Sequence, residues 1–306
     1  MRSIITKSVP NPNNPSEVLK HYKEHLIRWL HIFYREYLRD LSGSVRRKRF
    51  SKLMERKGSG AGKTAFVLAS GPSINKLDPD KIRKICKDIN GEVLCVNYFV
   101  NSEFAKATGV DYWLLSDPRH FDSSLTETVS AHEKANQIVK NALFVSEFFT
   151  DKASQISKLN IIPFNDNETS SVFSKNIDPC FPRTYVTMSA YKALAMAIYL
   201  GYDKIYIGGF DNSYVRDLGC DENNILYRRI NQFYGAQDAN LPTQRDYKMG
   251  LAMNEKPRKR NVAEELLAYS RLFSDLYEFS KFDIVNLDPD SLTDAFPKKH
   301  NLDIYK

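Results

Sequence analysis

The chain has 306 residues, 42% hydrophobic and 26% charged, a balance that suits a soluble globular protein with one large α/β domain and an appendage. No apolar run reaches the length of a membrane-spanning helix, and no secretory leader opens the chain. The net charge of +7 is uneven: residues 1–63 carry 15 Lys/Arg and 5 Asp/Glu, and the rest carries 29 against 32. Basicity confined to one end points to a local basic appendage and away from a nucleic-acid-binding body.

Residues 1–15 are polar and punctuated by Pro10, Pro12 and Pro15, which reads as a flexible lead-in. From the candidate cap Ser16, an apolar stripe runs through Leu19, Tyr22, Leu26, Trp29, Leu30, Phe33, Tyr37 and Leu41 at helical spacing. Arg46-Arg47-Lys48-Arg49 and Lys52 follow, so residues 16–57 form a basic amphipathic segment. It suits either an anionic membrane surface or packing on the body or a second subunit. Gly58 to Lys63 reads as a flexible glycine-rich linker. Gly58 to Thr64, GSGAGKT, brushes against a phosphate-binding loop, but the required first glycine falls on Lys57 and the segment precedes its strand, so it is rejected.

Within Thr64 to Ser73 the apolar run Ala65-Phe66-Val67-Leu68-Ala69 stops in Ser70-Gly71-Pro72-Ser73, as a buried parallel strand feeding a tight turn would. Helices are predicted over Asp78–Lys87, Asn101–Thr108, Ser123–Lys140, Thr184–Leu200 and Val262–Ser280. Strands are predicted over Glu92–Val96, Asp111–Leu115, Ala142–Val145, Leu159–Ile162, Lys204–Ile207 and Phe282–Val285. The polar, aromatic stretch 212–259 is too long for an ordinary connection and reads as either a functional loop, with a lid among the options, or a disordered one. Alternating strands and helices imply a mostly parallel sheet. Four strands end in polar caps: Ser70-Gly71-Pro72-Ser73, Asn97, Ser116-Asp117 and Gly209-Phe210-Asp211. In such a sheet these caps share the carboxyl edge, where ligands bind. The cysteines Cys86, Cys95, Cys180 and Cys220 lack CxxC spacing and read as reduced cytoplasmic thiols, with no zinc site.

In order, Ala69-Ser70-Gly71-Pro72-Ser73, Val96-Asn97-Tyr98-Phe99, Leu115-Ser116-Asp117-Pro118 and the stretch Ala197 to Asp211 (AIYLGYDKIYIGGFD) resemble the bacterial lipooligosaccharide sialyltransferases. They also resemble relatives of those enzymes, the motility-associated flagellin glycosyltransferases and the hydroxymethylpterin diphosphokinase-like proteins. The resemblance covers about residues 64–211. It implies a single Rossmann-like domain over 64–306 with a mostly parallel sheet, of variant glycosyltransferase-A type. It also implies a CMP-sugar donor used as co-substrate without a cofactor or metal, and a cell-surface glycan acceptor. Carried over, Ser70, Gly71 and Ser73 would line the nucleotide phosphate, and Asn97 would contact the nucleotide or donor sugar. Ser116 or Asp117 stands in for a donor-side asparagine. Thr187 and Ser189 match a Thr-Ser pair that opens a helix, and Gly209 with Asp211 closes the strand that would hold the cytidine or ribose.

The sialyltransferases place a histidine after Gly-x-Asp as general base, but this chain has none between His132 and His300. His120 is the first substitute and Asp117 the second. Tyr214, Tyr227, Tyr234 or Tyr247 could replace the family's phosphate-binding tyrosines, and Arg228, Arg229 or Arg245 could neutralise the leaving phosphate. The resulting expectation is an inverting glycosyltransferase for a CMP-linked sialic or related nonulosonic acid, held at the inner face of the cytoplasmic membrane through residues 16–57. The rivals are a metal- and ATP-dependent pyrophosphokinase and a non-catalytic scaffold of glycan assembly. Self-association is left open.

Overall fold

A computed structural model describes residues 15–38, 40–169, 176–216, 218–220, 226–228, 233 and 262–299. Seven strands form one sheet in the order β5-β4-β3-β2-β1-β6-β9, and every neighbouring pair is parallel. They are β1 (Thr64–Leu68), β2 (Gly91–Val96), β3 (Val110–Leu115), β4 (Val139–Ser146), β5 (Ile161–Phe164), β6 (Lys204–Gly208) and β9 (Ile284–Asn286). A separate antiparallel pair joins β7 (Leu218–Cys220) to β8 (Leu226–Arg228). This is the expected Rossmann-like α/β architecture.

Period-two alternation along the strands builds both faces. Ala65, Val67, Leu94, Val96, Tyr112 and Leu114 meet one core, while Phe66, Leu68, Val93, Cys95, Trp113 and Leu115 meet the other. The second core is covered by α4 (Pro79–Asp88), α5 (Glu103–Thr108), α6 (Thr126–Ile138) and α7 (Thr150–Ile156). The first is covered by α8 (Ser189–Leu200) and α9 (Val262–Leu276). Caps fix several of these helices. The Asp78 side chain accepts from the Asp80 and Lys81 N–H groups ahead of Pro79, and Gly201 ends α8 at φ 82°. The chain steps outward from β1 to β5 with helices on one face, crosses to the other face through α8, and returns as β6 beside β1. That reversal opens a crevice between the carboxyl ends of β1 and β6.

The N-terminal segment departs from expectation. Helix α1 (Pro15–Phe33) continues into a π-helical turn at Tyr34–Leu38, then α2 (Ser44–Arg49) and α3 (Ser51–Met54). Phe50 and Leu53 are fully buried and belong to the core on the α8 face, so residues 16–57 are not wholly an appendage. Nor is 58–63 a free linker. The Gly58 N–H donates to the Tyr199 carbonyl at 3.3 Å and the Gly60 N–H to that of Leu200 at 2.7 Å. A Cβ on Gly60 would stand 2.9 Å from the Tyr202 ring, so glycine is there to let the turn close on α8. The lead-in 1–14 and most of the lid 212–259 lie outside the described residues.

Candidate functional site

The Gly71 turn and the Gly209-Asp211 turn interlock across the β1–β6 crevice. The Gly71 N–H donates to the Gly209 carbonyl at 3.1 Å. A Cβ on Gly71 would fall 1.8 Å from Asp211 Oδ2, and one on Gly209 would fall 2.5 Å from the Ala69 carbonyl. Gly209 also sits at φ 73°, where a side chain is strained. Asp211 accepts the Ser73 N–H at 3.0 Å on Oδ1 and the Ser73 hydroxyl at 2.8 Å on Oδ2. Burial pushes the Asp211 carboxyl above its usual range, and Asp288 adds to this while the Ser73 bonds oppose it.

This geometry corrects the role expected of Ser73. Its two donors are directed at a carboxylate and not at a phosphate, so Ser73 is a strut for Asp211. A carboxylate only accepts, which suits the hydroxyls of a ribose better than a phosphate. Ser70 lies at the same turn, and its carbonyl accepts the Phe233 N–H at 3.1 Å. The Phe233 ring packs on Phe99 at 4.9 Å between centroids. One residue of the expected lid is therefore seated on the β1 and β2 caps.

The next strand ends also carry polar groups. Asn97, at the carboxyl end of β2, holds φ 54°, and its carbonyl accepts the Trp113 indole N–H at 2.7 Å. Its side-chain Oδ1 is buried without a partner among the described residues. A buried orphan acceptor in a left-handed residue is costly and is the kind of group a ligand donor satisfies. Ser116, after β3, accepts from Lys192 Nζ at 2.9 Å, and its Oγ lies 3.4 Å from that of Ser189. Ser189 opens α8, and half-buried Thr187 stands just before Met188, the residue that precedes the helix.

Lys192 is a buried cation within a network. Its ammonium lies 2.7 Å from Asp166 Oδ1, Arg183 lies 3.0 Å from the same oxygen, and Arg183 and Arg271 both pair with Glu168. Burial lowers the Lys192 ammonium to about 8 against the pull of Asp166. Burial works to raise the Asp166 carboxyl, but Lys192 and Arg183 outweigh it and hold it below its usual range. Glu147 follows β4 directly. Burial pushes its carboxyl up to about 7, although Arg49 lies 3.4 Å away and Asn167 donates to it at 2.7 Å.

The two candidate bases fare differently from expectation. His120 is only 2% exposed and packs edge-on against Tyr98 at 4.4 Å. Neither of its ring nitrogens has a hydrogen-bond partner among the described residues, and burial lowers its pKa to about 4. A buried, weakly basic ring is a poor acceptor for a sugar hydroxyl proton. Asp117 is exposed, caps the turn that follows by accepting the Arg119 N–H at 3.0 Å, and lies 3.5 Å from the Arg119 guanidinium. Among the lid candidates, Tyr214 lies in a 3₁₀ turn at Ser213–Val215 and Arg228 in β8, while Arg229 and Tyr234 lie outside the described residues.

Lys192 and Glu147 were legible in part. A lone lysine in the apolar run from Ala190 to Leu200 is an unusual charge to bury. Glu147 repeats on β4 the polar cap seen on β1, β2 and β3. A cavity of about 220 Å³ lies at the opposite, amino edge of β2 and β3, lined by Arg83, Lys87, Lys106, Lys140 and Asp111. It is remote from the strand caps, and parallel sheets bind ligands at the carboxyl edge, so the β1–β6 crevice is the better candidate.

No family model and no curated protein matches the chain. Among solved structures, the MAf glycosyltransferase from Magnetospirillum magneticum AMB-1 is similar at 15% identity and a TM-score of 0.34. The match covers 65% of this chain and 32% of that one, so the chain spans about a third of the length of that structure. Superposition at that level passes neither fold detail nor activity from one chain to the other.

Proposed function

We propose that this chain is a glycosyltransferase that takes a nucleotide-activated sugar, a CMP-linked sialic or related nonulosonic acid, and transfers it with inversion to a glycan hydroxyl. The observation that carries this reading is the Gly71–Asp211 interlock at the reversal point between β1 and β6, flanked by the orphan Asn97 oxygen. Asp211 would accept ribose hydroxyls, and Asn97 would accept from the cytosine amino group or the donor sugar. In the transfer, the acceptor oxygen bonds to the anomeric carbon as the bond to the CMP phosphate oxygen breaks, and the acceptor proton passes to a base. Glu147, which caps β4 on the same carboxyl edge, would take that role in place of the buried His120, with a carboxyl that burial raises. The nucleotide sugar is a co-substrate, and the reaction as written needs no cofactor.

A thermal-shift screen with CMP, ATP and ATP with magnesium tests the reading. CMP at a hundredfold excess over Kd should raise Tm by about 5 °C. A shift with ATP alone or ATP with magnesium, and none with CMP, would replace it by the pyrophosphokinase. No shift with any nucleotide would favour a scaffold.

A further inference from the structure

Helix α1 and the turns after it carry two apolar faces where the sequence suggests one stripe. The inward face holds Ile32, Phe33 and Tyr37; Phe33 stacks on Tyr37 at 5.4 Å, and Tyr37 on Phe181 at 6.0 Å. The outward face carries Tyr22, Leu26, Leu30, Tyr34, Leu38 and Leu41, each between 46% and 84% exposed. They recur every three or four residues, so they form a continuous band and not the scattered apolar residues normal on a surface.

The charge around this band is predominantly positive. Residues 15–57 contain twelve Lys/Arg and five Asp/Glu. Two of the five acids face inward: Glu36 is held by Arg35 and Arg49, and Asp40 accepts the Val45 and Arg46 N–H groups. Lys20, Lys23, Arg47, Lys48 and Lys52 are exposed. Two copies of this face laid together would oppose like charges, whereas an anionic lipid surface offers hydrocarbon to the band and phosphates to its flanks. No helix among the described residues is long and apolar enough to cross a membrane.

We propose that the outward band of α1, with the basic residues of α2 and α3, docks this chain in the plane of an anionic lipid surface. Glu36 and Arg49 tie the segment to Asn165 and Glu147 at the carboxyl ends of β5 and β4. The docking itself does not depend on the transferase reading.

Flotation of the full-length chain with vesicles tests it, using phosphatidylcholine alone and phosphatidylcholine with about 30% phosphatidylglycerol. The chain should float with the anionic vesicles only. Leu26→Glu with Leu30→Glu and Leu38→Glu should reduce binding at least tenfold, and Arg47→Gln with Lys48→Gln by about 25-fold, near fivefold per charge. All five side chains are exposed, so melting temperatures should stay at the wild-type value and loss of binding would not reflect unfolding. Absence of wild-type flotation, or equal flotation with neutral vesicles, overturns the proposal. So does a dimer in light scattering that the triple leucine variant dissociates, which would assign the band to a second copy.

Discussion

Gly71 has no room for a side chain, because the added methyl would collide with Asp211 Oδ2 and the Gly209 carbonyl across the β1–β6 crevice. Gly71→Ala should cost about 1–3 kcal/mol in urea unfolding and abolish the CMP-induced thermal shift. The two polar caps beside it separate stability from binding. Ser73→Ala leaves a half-buried Asp211 oxygen without its hydroxyl donor and should cost about 1–3 kcal/mol. Asn97→Gly keeps the left-handed backbone and removes an acceptor that has no partner among the described residues, so stability should move by about 1 kcal/mol at most while the CMP shift disappears. An Asn97→Gly variant that still responds fully to CMP would place the nucleotide elsewhere. Glu147 makes a pH prediction. Its carboxyl ionises near 4.5 when unfolded and near 7 in the fold, so between those values the folded chain keeps a proton that the unfolded chain releases. Its contribution therefore falls as pH rises through that window, by about 3 kcal/mol in all. Glu147→Gln should flatten that slope in denaturation curves taken from pH 4 to pH 8, and should lose the titration near 7 from the rate profile if Glu147 is the base.

At the scale of elements, the sheet was legible because each strand is a short apolar run stopped by a polar or glycine cap, and the signal repeats. Helices with cap chemistry were legible too: Asp78-Pro79 starts α4 within a residue of expectation. Helix α8 starts later than the Ala- and Met-rich run suggests, because Thr184 to Thr187 are β-branched or aromatic and favour extended backbone. The Thr184 hydroxyl accepts the Asn176 N–H at 2.8 Å, and the Val186 N–H donates to Asp275 at 2.9 Å, which hold the segment extended. Such long-range partners leave no local trace. The α1 stripe failed for another reason. Spacing identifies residues that share a helix but not how many faces they make, and the π-helical turn at Tyr34–Leu38 alters the phase midway, bringing Glu36 inward. The caps at Gly71, Asn97, Ser116 and Asp211 were visible in sequence, whereas the burial that disqualifies His120 and tunes Glu147 arises only from packing. Lys192 shows what that packing demands of α8, whose first turn is seated on the loop after β5 by an ion pair with Asp166. Lys192→Met should cost about 3 kcal/mol, because Ser116 and Asp166 lose a buried partner even though Arg183 remains. An unchanged denaturation midpoint would mean that the network is not holding the helix.

For the molecule as a whole, the question is where the basic N-terminal segment ends and the folded body begins. The basic sequence suggests a boundary near residue 60, but burial places it earlier. The outward band runs on to Leu41, but from Ile32 onward the inward side is already part of the body: Ile32 is buried, Glu36 accepts from Asn165 at 3.1 Å, and Phe50 and Leu53 are fully enclosed in the core. Two truncations therefore diverge. Removing residues 1–28 deletes part of the exposed band, and the product should stay soluble, melt near the full-length temperature and lose anionic-vesicle binding at least tenfold. Removing residues 1–57 deletes Phe50 and Leu53 and opens the core beneath β5 and α8. Losses of roughly 3–5 kcal/mol for a buried phenylalanine and 2–5 for a buried leucine approach the whole stability of a domain. That product should be insoluble or melt far below the longer one, with no cooperative transition under conditions where the longer one has one. A well-folded 58–306 fragment would show that α2 and α3 rest on the body without completing it, and would return the boundary to the glycine-rich turn.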